Sequence, residues 1–295
     1  MDSGLFLQIL INGLLIGTVY GLVALGLTLV LSILDSINFA HGEMFMLGGI
    51  LIYFLFAVCG LGQFNLPTIP TYFLALLITM VIVGLFGMLI ETTLLHPFIG
   101  KHLPGLILTL GIGLILQTFG WMVLGTTDKK VPTPFPGIVS GLGASMALDR
   151  LIVAIIAVIM IALLWYFIKA TKIGQAMRAT SQDREAAMLQ GISMRRICAV
   201  GLGLSCALAG GAGALIAPTS VVNFGVGEPW LMKSFIIIIV GGMGSIPGSL
   251  LAGIILGFIE SFGSFFFSIP TATVISFGLV IIMLLLRPRG LLGHG

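Results

Sequence analysis

Apolar residues fill this chain in continuous runs of about 20, separated by short polar breaks. A run of that length is what a helix needs to cross a hydrocarbon core of ~30 Å. Inside lipid every backbone N–H and C=O has to be paired within the chain, which leaves helices or closed barrels. Barrel strands would alternate apolar and polar residues over short segments, whereas Leu151–Ile168 is apolar without interruption. The pattern therefore predicts an all-α, polytopic transmembrane helical bundle forming a single domain over residues 1–295. Crossings are expected at about 5–31, 37–58, 71–95, 105–125, 150–168, 197–217, 231–244, 247–267 and 271–286, eight or nine in all. The seventh is short, lies between Pro229 and the run Gly241-Gly242-Met243-Gly244-Ser245-Ile246-Pro247, and reads as a broken or re-entrant helix.

Composition agrees. Hydrophobic residues make up 58% and charged residues 8% of the chain, against roughly 25% charged in soluble domains. The first Lys or Arg is Lys101, so the first span lacks the basic flank of a cleavable signal peptide and is expected to stay in the protein. Cys59, Cys198 and Cys206 form no CxxC pair and are read as small apolar filler. The four histidines, His41, His96, His102 and His294, are scattered, and no metal site is expected. A net charge of +3 is too small and too localised for nucleic-acid binding.

The charge is concentrated in one place. Lys169–Arg196 holds eight charged side chains, and a polar segment of that length between apolar spans has to lie outside the bilayer. With this island on the cytoplasmic side, the inner segments hold nine of the thirteen basic residues, and the outside holds Lys129, Lys130, Arg150 and Lys233. The positive-inside rule then puts the amino terminus outside and the tail inside. Within the island, Gly174–Gln190 has a strong helix composition with no internal Gly or Pro, and Gly191 is placed to stop the helix. One side carries Ile173, Ala176, Met177, Thr180, Ala187 and Met188, interrupted by Arg184, and another carries Arg178, Gln182 and Glu185. Such a helix suits docking into a cleft of a cytoplasmic protein, with Ala186 and Ala187 allowing close approach. The plainer alternative is an amphipathic linker lying on the anionic inner leaflet.

Small residues recur every fourth position at Gly13/Gly17/Gly21, at Gly201/Ser205/Ala209/Gly213/Ala217 and at Gly253/Gly257/Ser261, marking close helix–helix faces and suggesting a dimer of like subunits. HExxH, a Walker A sequence, GxSG with a matching His and paired intramembrane aspartates are absent, so no enzyme is expected. Candidate functional groups are polar residues at membrane depth. Asp35–Glu43 reads either as an interfacial helix cap, using Ser36 or Asn38 and Glu43, or as the lining or gate of a translocation path through Asn38, His41 and Glu43. Gly242 and Gly244 are read as tight turns or as a pore-lining break. Glu260, far along an apolar helix, needs a partner or water. Gln8, Asn12, Glu91 and Gln117 are weaker candidates, better suited to inter-helix hydrogen bonds.

Glu185-Ala186-Ala187, three residues, then Gly191 resembles the coupling-loop motif of permease subunits in ABC importers, where a short cytoplasmic helix docks on an ATPase subunit. It occurs together with Ile37–Gly48, with Gly241–Gly248 and with the tail Arg287-Pro288-Arg289-Gly290-Leu291-Leu292-Gly293. In that order, and over essentially the whole length, the chain is similar to the high-affinity branched-chain amino acid permeases of bacteria, of the LivH type. The resemblance implies a multi-pass subunit of the bacterial inner membrane that moves leucine, isoleucine or valine by alternating access. It implies a second, LivM-type permease, two cytoplasmic LivG- and LivF-type ATPases that use ATP, a periplasmic binding protein, and no cofactor on this chain. Arg178, Arg184, Glu185, Ala186, Ala187 and Gly191 are the implied coupling residues. Related permeases carry urea, short amides or other amino acids. The urea type typically has a long amino-terminal extension, absent here, which tilts the expectation towards amino acids. An ion-coupled secondary transporter, using Glu260 as its coupling carboxylate, is the alternative of another class, and a passive channel is a third.

Overall fold

The computed structural model describes residues 3–58, 68–141, 144–287 and 290–292. Cys59, Pro288, Arg289, Gly293 and His294, and the side chain of His102, lie outside the described residues. The described chain is a helical bundle: α1 (Ser3–Leu34), α2 (His41–Ile52, continued by a wider turn to Val58), α3 (Thr68–Ile90), α4 (His102–Leu124), α5 (Leu148–Ala170), α6 (Lys172–Gln182), α7 (Arg184–Leu189), α8 (Met194–Ile216), α9 (Gly227–Gly241), α10 (Ile246–Phe266) and α11 (Ile269–Leu286). Six stretches are long and apolar enough to cross a membrane, carried by α1, α3, α4, α5, α8 and α10, and two shorter apolar helices correspond to α2 and α11.

The bundle sorts its surfaces as lipid demands. Leu77 and Leu85 of α3, Leu114, Ile115 and Met122 of α4, Leu163 of α5 and Leu285 of α11 project outwards, while α1 and α8 are buried through most of their length. Burial of α1 and α8 depends on their small residues. A Cβ on Gly17 would stand 2.9 Å from the Ile254 backbone, and one on Gly13 2.7 Å from the Phe258 ring, so α1 and α10 pack backbone to backbone. Gly84 and Gly87 of α3 make room for the small side chains of Ala207 and Cys206 of α8, and Gly48 of α2 lies on the backbone of Gly210. The expected ladders thus form seams inside one chain rather than the surface of a dimer.

Four local outcomes differ from the sequence reading. The island is two helices, because Asp183 accepts from Ala186 N–H at 2.9 Å and starts α7 as a cap, a bond that outweighs the helix propensity of its neighbours. A short antiparallel hairpin, β1 (Ile138–Gly141) with β2 (Ala144–Ala147), leads into α5 and receives Gln8 Oε1 from α1 on Ser145 N–H at 2.7 Å. α9 starts at Gly227, before Pro229, because proline in a first turn forfeits no helical hydrogen bond. Finally, Lys233, counted above among external charges, is inside α9 and paired with α10.

Candidate functional site

Two helices begin inside the bundle. α1 ends at Asp35, whose φ of 51° is the left-handed closure that Asp tolerates. The chain then runs back alongside α1, so that His41 Nε2 donates to the carbonyl of Val23 at 3.0 Å while Nδ1 lies 3.4 Å from the Ser205 hydroxyl. Val23 is roughly 16 Å from the end of α1 at ~1.5 Å per residue, so α2 starts near mid-depth. α9 starts at the same level, since Gly227 packs directly against Gly42. From there α2 leads away from the charged island and α9 towards it, as the bond from Ser32 Oγ at the end of α1 to the Gly244 carbonyl at 3.2 Å requires.

The two starts are copies of one another. Ile37-Asn38-Phe39-Ala40-His41-Gly42-Glu43 matches Val222-Asn223-Phe224-Gly225-Val226-Gly227-Glu228. Asn38 Oδ1 accepts from Ala40 N–H at 3.0 Å, and Asn223 Oδ1 from Gly225 N–H at 3.1 Å. Gly42 and Gly227 each leave room for the other's carbonyl, and Phe45 stacks on Trp230, each two residues after its glutamate, at 4.5 Å. Exchanging α1 for α8, α2 for α9 and α3 for α10 also maps the α1–α10 glycine seam onto the α8–α3 seam. The chain therefore contains an inverted repeat whose axis passes between Gly42 and Gly227. Glu43 is 8% exposed and its Oε2 has no hydrogen-bond partner among the described residues, while Glu228 is exposed. Asn38, His41 and Glu43 thus lie at one helix start, met by Gly227 and Glu228, which the sequence reading missed; Asn223, the repeat equivalent of Asn38, instead donates from Nδ2 to Asp128 Oδ1 at 2.9 Å. The repeated Asn-Phe-x-x-Gly-Glu was the signal.

Glu260 lies elsewhere, towards the side opposite the island. Its Oε2 accepts from Lys233 Nζ at 2.8 Å and from the Tyr20 hydroxyl, which Lys233 also approaches. The carboxylate therefore has partners from α1 and α9, and the ammonium stands over the Tyr20 ring, 4.6 Å from its centroid. The group borders a cavity of about 560 Å³ between α1, α9, α10 and the start of α5.

Gly242 and Gly244 are on the island side, away from both groups. With φ of 102° and 83° they turn the chain from α9 into α10, where Ser245 Oγ accepts from Gly248 N–H. The tail folds over this turn: Leu291 and Leu292 N–H donate to the terminal carbonyls of α9 at Val240 and Gly241, at 2.8 and 3.0 Å.

On the island, Arg184 donates to the Ile33 carbonyl at the end of α1 at 2.7 Å, and Ala187 is buried. Glu185, Ala186 and Arg178 are exposed, and so are Met188 and Leu189, the latter at 88%. Gly191 (φ 81°) closes α7, its N–H bonding to Met188 O and that of Ile192 to Ala187 O. Among the described residues no group of three or more His, Cys, Asp or Glu is placed to share a metal ion.

Irregular backbone at mid-depth, an inverted repeat and a partly buried charge pair beside a cavity define a membrane transport protein. The chain belongs to the family described as branched-chain amino acid transport system / permease component, whose model matches residues 9–285, and it is a transport subunit, not an enzyme. It is 34% identical to the high-affinity branched-chain amino acid transport system permease protein BraD of Pseudomonas aeruginosa, and 33% identical to the LivH permeases of Salmonella typhimurium and Escherichia coli. Each of these alignments covers 98% of this chain and 96% of the relative. A probable LivH of Methanocaldococcus jannaschii is 28% identical over 92% of the chain and 88% of the relative. No solved structure matches.

Proposed function

We propose that this chain is the LivH-type permease subunit of an ATP-driven importer of leucine, isoleucine and valine in the bacterial inner membrane. Its partners are a LivM-type permease, two cytoplasmic LivG- and LivF-type ATPases that bind the ATP, and a periplasmic binding protein, and no cofactor resides on this chain. The observation that carries the reading is α7, an apolar end exposed at Leu189 beside Glu185 on a segment too polar to enter lipid. A large apolar side chain held in water by a capped helix and a Schellman closure is a surface waiting for a partner. Arg178, Glu185 and Ala186 lie on that exposed side. Arg184, Ala187 and Gly191 act from behind it: Arg184 ties α7 to the end of α1, Ala187 seats it and Gly191 ends it.

On this proposal the chain makes nine crossings, two of them discontinuous through α2 and α9, with the amino terminus outside and the tail inside, which the positive-inside rule supports. In this reading Asn38, His41 and Glu43 belong to the gate at the inverted repeat, Glu260 to the outer half of the path, and Gly242 and Gly244 to its cytoplasmic turn. Affinity purification of the chain in mild detergent tests the assembly. The wild type should bring down two ATPases and a second permease, while Leu189→Asp or Glu185→Lys should retain the second permease and lose the ATPases. Retention of both ATPases by both variants would sink the docking assignment. ATP-independent leucine uptake by the chain alone, driven by a proton or sodium gradient, would favour the secondary transporter instead.

A further inference from the structure

The cavity beside Glu260 is not a packing defect. Its wall combines two opposite charges held by α9 and α10, a second cation at Arg150, and apolar surface from Ile16, Val19 and Trp230. Its volume of about 560 Å³ falls within the roughly 300–1,000 Å³ of small-molecule sites. Lys233 and Glu260 remain 23% and 13% exposed, so the pair lies at the cavity surface rather than sealed in the core. An ion pair is costly to hold within an apolar bundle, and its usual reasons there are a pathway or a partner. The Tyr20 hydroxyl, hydrogen-bonded between the two, fixes their separation from α1. A fixed carboxylate and a fixed ammonium side by side, next to an apolar wall, are the complement of a zwitterion with an apolar side chain.

We propose that this cavity is a solute subsite that receives the zwitterionic head of an apolar α-amino acid, its ammonium on Glu260 and its carboxylate on Lys233 and Arg150. Its aliphatic side chain lies against Val19, Ile16 and Trp230. The solute exchanges partners with a pair that already exists, so neither charge is left uncompensated whether the site is empty or full. The proposal deepens the importer reading and rests on it for the identity of the solute. It also accounts for a basic residue, Arg150, on the side that the positive-inside rule leaves poor in them, and for a second, Lys233, within a membrane helix.

The test compares ATP-driven leucine uptake by vesicles holding the whole importer with the wild-type chain, Glu260→Gln, Lys233→Met and the double variant. Each single variant should lower uptake at least ten-fold, and the double variant should do no better. ATP hydrolysis should stay within about two-fold, which reports assembly. A pair that merely stabilises the bundle would be relieved when both charges are removed, so recovery of uptake in the double variant overturns the proposal, as does normal uptake in both single variants.

A second measurement needs no loss of a charge. In a purified chain whose outward-facing Trp121 and Trp165 are replaced by Phe, leucine should shift the fluorescence of Trp230. Isopentylamine and 4-methylpentanoate, which each lack half of the head, should need at least ten-fold higher concentrations. Equal responses to all three, or none to leucine, overturn the site. Wild-type vesicles that carry no leucine defeat the branched-chain reading alone. Fluorescence titrations with alanine, ethylamine and propionate then decide the site by the same ten-fold criterion.

Discussion

At the scale of single residues, the junction of α2 and α9 is held by two glycines. A Cβ on Gly42 would stand 2.8 Å from the Leu231 side chain and run into the Gly227 carbonyl, and a Cβ on Gly227 would run into the Gly42 carbonyl. The obstacle in each case is backbone, which cannot swing aside as a side chain can, so the helix starts have to separate. Gly111 and Gly278 provide the contrast, since a Cβ on either meets nothing within 4 Å. Gly42→Ala and Gly227→Ala should each destabilise the purified chain by about 1–3 kcal/mol, the usual range for overpacking. Gly111→Ala and Gly278→Ala should leave stability unchanged or slightly raised. Thermal unfolding in detergent checks this, and equal midpoints for all four variants would show that the junction is loose. The charge pair makes the complementary point. Glu260 was visible in the sequence as a carboxylate in need of a partner, but Lys233, at the start of the seventh crossing, was counted among the outside charges. Only the packing of α9 on α1 and α10 brings it to Tyr20 and Glu260.

At the scale of elements, α7 shows how much one cap can decide. Asp183 satisfies the N–H of Ala186, and loss of such a bond costs about 1 kcal/mol. The six residues of α7 are too few to be stable without their caps and their contact through Ala187. Asp183→Ala should therefore speed amide exchange several-fold across residues 184–192 and leave exchange in α1 and α8 unchanged. Hydrogen exchange followed by mass spectrometry reads this directly; uniform acceleration through the bundle would mean that α7 is a structural part of the core. The long crossings were legible in the sequence because a helix that must span lipid declares itself by length and apolarity alone. The break at Asp183 was not, since Gln182, Asp183 and Arg184 contain no helix breaker, and a cap is chosen by geometry rather than propensity. The hairpin between α4 and α5 was also hidden, because each strand has only four residues. The half-helices were half legible: the polar cluster at Asp35–Glu43 stood out, but its placement at mid-depth depends on a second segment far along the chain.

At the scale of the whole molecule, the inverted repeat gives the proposed gate a shape. α2 and α9 point in opposite directions from a common centre, each preceded by irregular backbone that runs back into the bundle, and only protein or a water-filled path tolerates such backbone at mid-depth. Two related arrangements of one repeat against the other would expose the centre to alternate sides, with the glycine seams α1–α10 and α3–α8 as the surfaces that slide. Energy from the proposed ATPases can drive that exchange only if their proposed contact with α7 differs between the two arrangements. A bridge across the centre should then stop transport without dismantling the importer. Phe45 and Trp230, stacked across the axis, are the positions to bridge, with Phe39 and Phe235, whose rings are 5.2 Å apart, as an independent pair. In a chain whose native cysteines are replaced, Cys at either pair, joined by a reducible thiol cross-linker, should cut leucine uptake at least ten-fold. Uptake should return on reduction to the level of the same Cys variant left unbridged, and the ATPases should remain bound throughout. Undiminished uptake in bridged importers of both pairs would place the moving parts elsewhere, outside the α2–α9 junction.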